Sequence, residues 1–200
     1  MKNRAMLRAM LGTPTAPQAS RTALMAVADS AAAAASAVAM GASMVDLSRA
    51  GRAQADAFRA SHPGILVCAA DGAADIVRDL ATALRTGALL ICTDPDAAVS
   101  AGIPAGRLLA ELRPDELGPA ALARGYATLV DLPDGPGPDG EPPAEQPGAR
   151  AAALAVAAVS AWLGVAVVRT RYPQQVRRAL DMADSIRGTR PPARAVRGLA

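Results

Sequence analysis

Five times along this chain a helix-forming stretch runs into a glycine, and the glycine into a short apolar run that ends in a polar residue. The runs are "ASMVDLS" after Gly41, "ILVCAAD" after Gly64, "ALLICTD" after Gly87, "YATLVDLPD" after Gly125 and "VAVVRTR" after Gly164. Glycine just past a helix accepts the left-handed backbone that ends it. Apolar runs without polar alternation suit strands buried on both faces, the environment of a parallel sheet. Two further runs fit the series, "TALMAVAD" at 22–29 and "RLLAEL" at 107–112. Strands that alternate with helices predict right-handed βαβ units, about seven of them.

The segments between the strands read as amphipathic helices. Ser30 follows Asp29 and can cap the run "AAAAASAVAM". In "AADIVRDLATALRT" the spacing puts Ile76, Leu80 and Leu84 on one helix face, and in "QQVRRALDMADSI" it does the same for Val176, Leu180, Ala183 and Ile186. The stretch 133–148, "PDGPGPDGEPPAEQPG", is a proline- and glycine-rich loop. The expected organisation is an N-terminal arm over 1–20, one domain over 21–188 and a C-terminal arm over 189–200.

Composition narrows the function classes. Hydrophobic residues make up 52% of the chain but aromatic residues only 2%, so the core must be built from Ala, Val, Leu and Ile. So few aromatic rings offer no stacking platform for nucleic-acid bases, and a net charge of +3 is a weak argument for a nucleic-acid partner; none is expected. Cys68 and Cys92 fall inside two of the apolar runs without CxxC spacing and read as reduced core thiols. The single histidine, His62, precedes Pro63 and Gly64 in a loop, which argues against a histidine metal site. The basic N-terminus lacks the long apolar core of a secretory signal, and the run at 151–168 is broken by Ser160, Trp162 and Gly164. These features predict a cytoplasmic protein without a membrane partner.

In parallel α/β folds, ligands bind at the C-terminal ends of the strands. The polar residues that end the predicted strands are Asp29, Asp46, Asp71, Thr93 with Asp94, Glu111, Asp131, and Arg169 with Arg171. Any single acid here also fits an ordinary helix cap or turn. The arginine pair is less ordinary, since two cations that close repel unless they share an anion. A guanidinium fork at a strand end suits a phosphate or diphosphate. No GxGxxG joins a strand directly to a helix, no Walker-type GxxxxGK[ST], HExxH or GxSxG motif is present, and Lys2 is the only lysine, which leaves no lysine for Schiff-base chemistry.

The last unit, "AVSAWLGVAVVRTRYPQQVRRALDMADSIRG", resembles the end of dihydropteroate synthases, where a helix leads to "GA-x-x-x-R-x-H-D-V" and a closing helix. The first unit, "ALMAVAD" followed by "AVAMGASMVDLS", is similar to that family's opening, and "AGIPAGRLLAEL" and "LARGYATLVDLPDG" to two later segments. The resemblance spans most of 22–188. It implies a TIM-like (β/α) barrel with parallel strands, one that binds a dihydropterin diphosphate and joins the pterin to p-aminobenzoate. The family's first-strand Asn, a diphosphate and magnesium ligand, falls on Asp29, so the resemblance implies Mg2+ held there with a diphosphate. Its pterin- and phosphate-binding positions fall on Asp46, Asp71, Glu111 and Arg169, and the His of R-x-H becomes Arg171. The Asn-Asp pair of the fourth strand falls on Cys92 and Thr93, and the Ser-Arg-Lys motif on Pro133, Asp134 and Gly135, so the lysine is absent. The family's two loops after the first and second strands have no counterpart. Too little chain lies between Asp94 and Gly102 for a strand and helix of the family, which reduces the expected barrel to about seven βα units.

Two function classes follow. The first is a dihydropteroate synthase-like protein with impaired or lost synthase activity and a residual site for a pterin diphosphate or other phosphate-bearing small molecule. The second is a non-catalytic dimerisation or regulatory partner on the same barrel. The resemblance also implies a homodimer through the C-terminal helices, with Trp162 as a contact; the competing reading of Trp162 is core packing. A different phosphate-binding enzyme on the same scaffold is a weaker third class.

Overall fold

The computed structural model describes residues 21–70, 74–133 and 147–188. The two predicted arms, Asp71 and most of the 133–148 loop lie outside the described residues. Eight parallel strands close into a barrel in sequence order. They are β1 (Ala23–Val27), β2 (Met44–Asp46), β3 (Leu66–Cys68), β4 (Ile76–Val77), β5 (Leu89–Cys92), β6 (Leu108–Leu112), β7 (Ala127–Asp131) and β8 (Val167–Thr170). The helices around them are α1 (Ala31–Ala39), α2 (Arg52–Ser61), α3 (Leu80–Thr86), α4 (Pro95–Ser100), α5 (Pro119–Leu122), α6 (Pro147–Leu163) and α7 (Pro173–Ile186). β8 closes the ring against β1, with Ala23 opposite Val167 and Met25 opposite Arg169.

The strand count corrects the expectation of about seven units. The additional strand is β4, which the helical spacing of Ile76, Leu80 and Leu84 had absorbed into one helix. Ile76 instead pairs with Cys68 on one side and Leu89 on the other, fully buried. The helix begins only after Asp79, whose carboxylate accepts the Thr82 N–H at 2.7 Å. A two-residue strand is too short to show a period, and β-branched Ile-Val is its only local signal. With β4 counted, β5 is the fifth strand, and the chain after Asp94 has to supply only α4.

Side chains alternate between the two faces of each strand. Met25, Met44, Leu66, Cys68, Ile76, Ile91, Leu109, Leu129 and Val167 point inward and fill the barrel. The opposite faces meet the helices in two arcs. One joins Val45, Val67, Leu90 and Leu108 to Ala34, Phe58 and Ala83; the other joins Leu24, Val130 and Val168 to Ala153, Ala157, Ala161 and Leu180. Alanine at four-residue spacing on α6 lets that helix lie close to the wall. This is how a chain nearly without aromatic rings closes its core.

Glycine ends the helices largely as expected. Gly87 adopts the left-handed conformation (φ 80°) as the C-cap of α3. Gly41 has φ 95°, and a Cβ there would sit 3.1 Å from Arg177 Cδ, so both backbone and space demand glycine. Gly64 departs from the series. It is absent from the positive-φ positions, and α2 ends on His62, whose ring stacks on Phe58 at 4.4 Å.

The strand assignment of Ile76 predicts a large asymmetry in denaturant unfolding. Ile76→Ala should cost about 2–5 kcal/mol, the range for truncating a buried aliphatic residue. Leu84→Ala, at a side chain 47% exposed, should cost under about 1 kcal/mol.

Candidate functional site

The inward-facing parity of the strands continues past the apolar layers to the C-terminal mouth. There it selects Asp46 on β2, Arg78 after β4, Thr93 after β5, Glu111 on β6, Asp131 on β7 and Arg169 on β8. The centre of this ring is Arg169. Its Nε and Nη2 both donate to Asp46 Oδ2 at 2.7 Å, and its Nη1 donates to Asp131 Oδ2 at 2.7 Å. The other Asp46 oxygen accepts the Ser48 backbone N–H at 2.9 Å and the Ser48 hydroxyl at 2.6 Å. Across the mouth, Arg78 Nη1 and Nη2 donate to the two Glu111 carboxylate oxygens at 2.8 and 2.9 Å, a bidentate fork.

The two predicted arginines meet different carboxylates of the chain. Arg169 is held between two carboxylates of the barrel itself, and Arg171 Nη1 lies 3.8 Å from Asp29 Oδ2. Asp29 is an exposed side chain beyond the end of β1. It supplies one carboxylate, and among the described residues no group of three or more His, Cys, Asp and Glu is arranged to hold a metal ion. One carboxylate suffices for magnesium carried in on a phosphate ligand. Asp94 is an N-cap, accepting the Ala97 N–H at 3.0 Å. Asp46, Glu111 and Arg169 are brought together at the mouth, Asp29 and Arg171 lie at its edge, and Asp71 falls outside the described residues.

Arg78 is the site residue that reading the sequence missed. The helical spacing of Ile76 with Leu80 and Leu84 hides it, because that reading leaves no strand for Arg78 to end. The available signal was Asp79 three residues before Thr82, a helix start that places Arg78 outside the helix.

A cavity of about 900 Å3 opens beside the ring, lined in part by Thr93, Glu111, Arg113, Arg124 and Asp131. A smaller one of about 370 Å3 adjoins it at Thr93 and Glu111, with Arg78, Cys92 and Asp94 on its wall. Together they have the size of a small-molecule site at the strand ends. Asp131 is 41% exposed on the wall of the larger cavity, while Arg169 is 16% exposed behind it.

The charges hold one another in their ionised forms. Burial raises the pKa of Asp46, but the adjacent Arg169 charge and the Ser48 hydrogen bonds more than reverse this and leave it below the ordinary value. Burial lowers the pKa of Arg169, and Asp46 with Asp131 more than restore it. Arg78 is likewise raised on balance, by Glu111 against burial. Beneath the ring, burial and the Asp46 charge push the Cys68 thiol up to about 12, so it stays protonated and unreactive at neutral pH.

Asp46 therefore makes stability depend on acid. Its folded pKa lies below the unfolded value of about 3.9, so its contribution is complete above roughly pH 5 and is lost as pH falls through the folded pKa. Urea unfolding of Asp46→Asn should show a loss of about 2 kcal/mol or more at pH 7, where Arg169 is left half-paired. The difference from wild type should shrink steadily below about pH 4.

No family model and no curated protein matches the sequence. Solved structures do match the fold. The chain is similar to the Yersinia pestis dihydropteroate synthase, with a TM-score of 0.67 at 16% identity over 86% of this chain and 95% of that one. It is similar to the Mycobacterium tuberculosis protein Rv1207, with a TM-score of 0.62 at 20% identity over 86% and 94% of the two chains. The 7,8-dihydropteroate synthase of Vibrio fischeri matches with a TM-score of 0.63 at 14% identity over 90% and 98%. A closed barrel of eight parallel strands, with its charged ring at the C-terminal mouth, has the fold of the dihydropteroate synthases.

Proposed function

We propose that this protein binds a pterin-type ring at the barrel mouth, in the manner of a dihydropteroate synthase, with synthase turnover impaired or lost. The observation that carries the reading is the ring itself. Asp46 and Arg169 occupy positions that the family resemblance assigns to ligand binding, beside a cavity of about 900 Å3 that Glu111 and Asp131 line. Carboxylates and a hydroxyl there can accept the amino and ring N–H groups of a pterin. Synthase chemistry would be attack of an arylamine on the pterin methylene with diphosphate leaving. Stabilising that leaving group needs donors aimed at developing charge. Arg78 and Arg169 are already committed to Glu111, Asp46 and Asp131, and there is no lysine among the described residues. Magnesium enters this reading only with a phosphate-bearing ligand, through Asp29.

Dihydropterin fluorescence during titration with the full chain tests the proposal. Saturable binding is expected, and Asp131→Asn should weaken it about tenfold or more, the effect of removing a charge-assisted hydrogen bond. A p-aminobenzoate-dependent assay of diphosphate release should give turnover many orders of magnitude below that of an efficient synthase. No saturable binding would remove the proposal.

One observation favours the second reading, a dimerisation or regulatory partner on the same barrel. Trp162 is 57% exposed rather than packed in the core, and Val159 on α6 with Met182 and Ile186 on α7 is exposed too. The two helices pack on each other, and Arg187 Nη1 donates to the Ala161 carbonyl near their ends. Exposed large apolar residues on neighbouring helices are typical of an interface. We propose a homodimer through this face. Sedimentation analysis should give a dimer for the wild type, and Trp162→Arg should shift it toward monomer by tenfold or more in dissociation constant while leaving the melting temperature of the fold nearly unchanged. A wild-type monomer at all concentrations would contradict it.

A further inference from the structure

Among the described residues, each inward-facing cation of the barrel mouth is already answered by carboxylate. Arg169 serves Asp46 and Asp131, and Arg78 serves both oxygens of Glu111. Within this ring three carboxylates face two guanidinium groups, so the described mouth carries one net negative charge. Three of the surrounding arginines stand beside carboxylates. Arg171 lies near Asp29, Arg113 is bonded to Glu116, and Arg124 to Asp96.

We infer that the mouth selects a neutral 2-amino-4-oxopteridine over its diphosphate ester, and that Glu111 sets this selectivity by holding Arg78. The inference rests on the pterin reading above. A diphosphate carries two or more negative charges and must approach Asp131 and Glu111. To gain Arg78 it must break a bidentate pair and leave Glu111, itself only 18% exposed, without a counter-charge. At an effective dielectric of about 20, the ring's one net negative charge about 7 Å away weakens the binding of such an anion tenfold or more. A neutral pteridine meets no such term. Its adjacent amino and ring N–H groups need acceptors, and Asp131 on the cavity wall binds Arg169 through Oδ2, which leaves Oδ1 for a ligand. The Thr93 hydroxyl lines both cavities and offers either a donor or an acceptor.

Calorimetric titration of the full chain with 6-hydroxymethyl-7,8-dihydropterin and with its diphosphate ester, each with EDTA and with magnesium, tests the selectivity. The neutral ligand should bind at least about tenfold more tightly in EDTA. Glu111→Gln frees Arg78 and should narrow the gap by about tenfold through a gain in diphosphate affinity. Arg78→Gln leaves Glu111 unpaired and should widen the gap. Circular dichroism melts establish that both variants fold, and if one does not, the other reports alone. Tighter binding of the diphosphate to the wild type in EDTA, or a loss of diphosphate affinity in Glu111→Gln, would overturn the inference and leave the pterin reading standing. Binding of neither ligand would remove the pterin reading, and the selectivity with it.

Discussion

The Arg169 guanidinium is the interaction on which the mouth of this barrel depends. β8 is the strand that closes the sheet, and its neighbours are β7 and β1. Arg169 reaches Asp131 on β7 in one direction and, past β1, Asp46 on β2 in the other. One side chain thus spans the seam across four adjacent strands. Asp46 is buried at 1% exposure, so the pair is sequestered from water, where an uncompensated carboxylate is costly. Ser48 fixes the remaining Asp46 oxygen, so its carboxylate cannot turn away.

That arrangement decides what the site can do. A guanidinium at a strand end is a natural anion receptor when its donors face solvent. Here three of its donor bonds go to carboxylates of the same ring, and the opposite arginine is used in the same way by Glu111. Among the described residues the ring is therefore an internally paired network of two guanidinium groups and three carboxylates, with acceptors left over.

Much of the fold is legible in the sequence because strands buried on both faces read as uninterrupted apolar runs, and because glycine punctuates the helix ends. Asp46, Glu111, Asp131 and Arg169 are legible for a related reason: each is the polar residue at which an apolar run stops. β4 is not legible, since two residues carry no periodicity and the following helix shares their phase. Arg78 was lost with it, and the Arg78–Glu111 pair could not be inferred. The partner of Arg169 was equally out of reach. Asp46 lies 123 residues away, and only barrel closure brings the two together. Arg169 and Arg171 stand two residues apart in the sequence, yet Arg169 meets Asp46 and Asp131 while Arg171 lies near Asp29, and such pairing between distant strands leaves no local trace. Asp94 shows the converse, a strand-end acid whose role is a helix cap.

The central claim is that Asp46 and Arg169 form one coupled, buried pair that organises the mouth. A double-mutant cycle of Asp46→Asn and Arg169→Gln, read by urea unfolding at pH 7, measures that coupling directly. The predicted interaction energy is about 2 kcal/mol or more, because each single substitution strands a partner and the double substitution does not. Additive losses, within about 0.5 kcal/mol, would contradict the account.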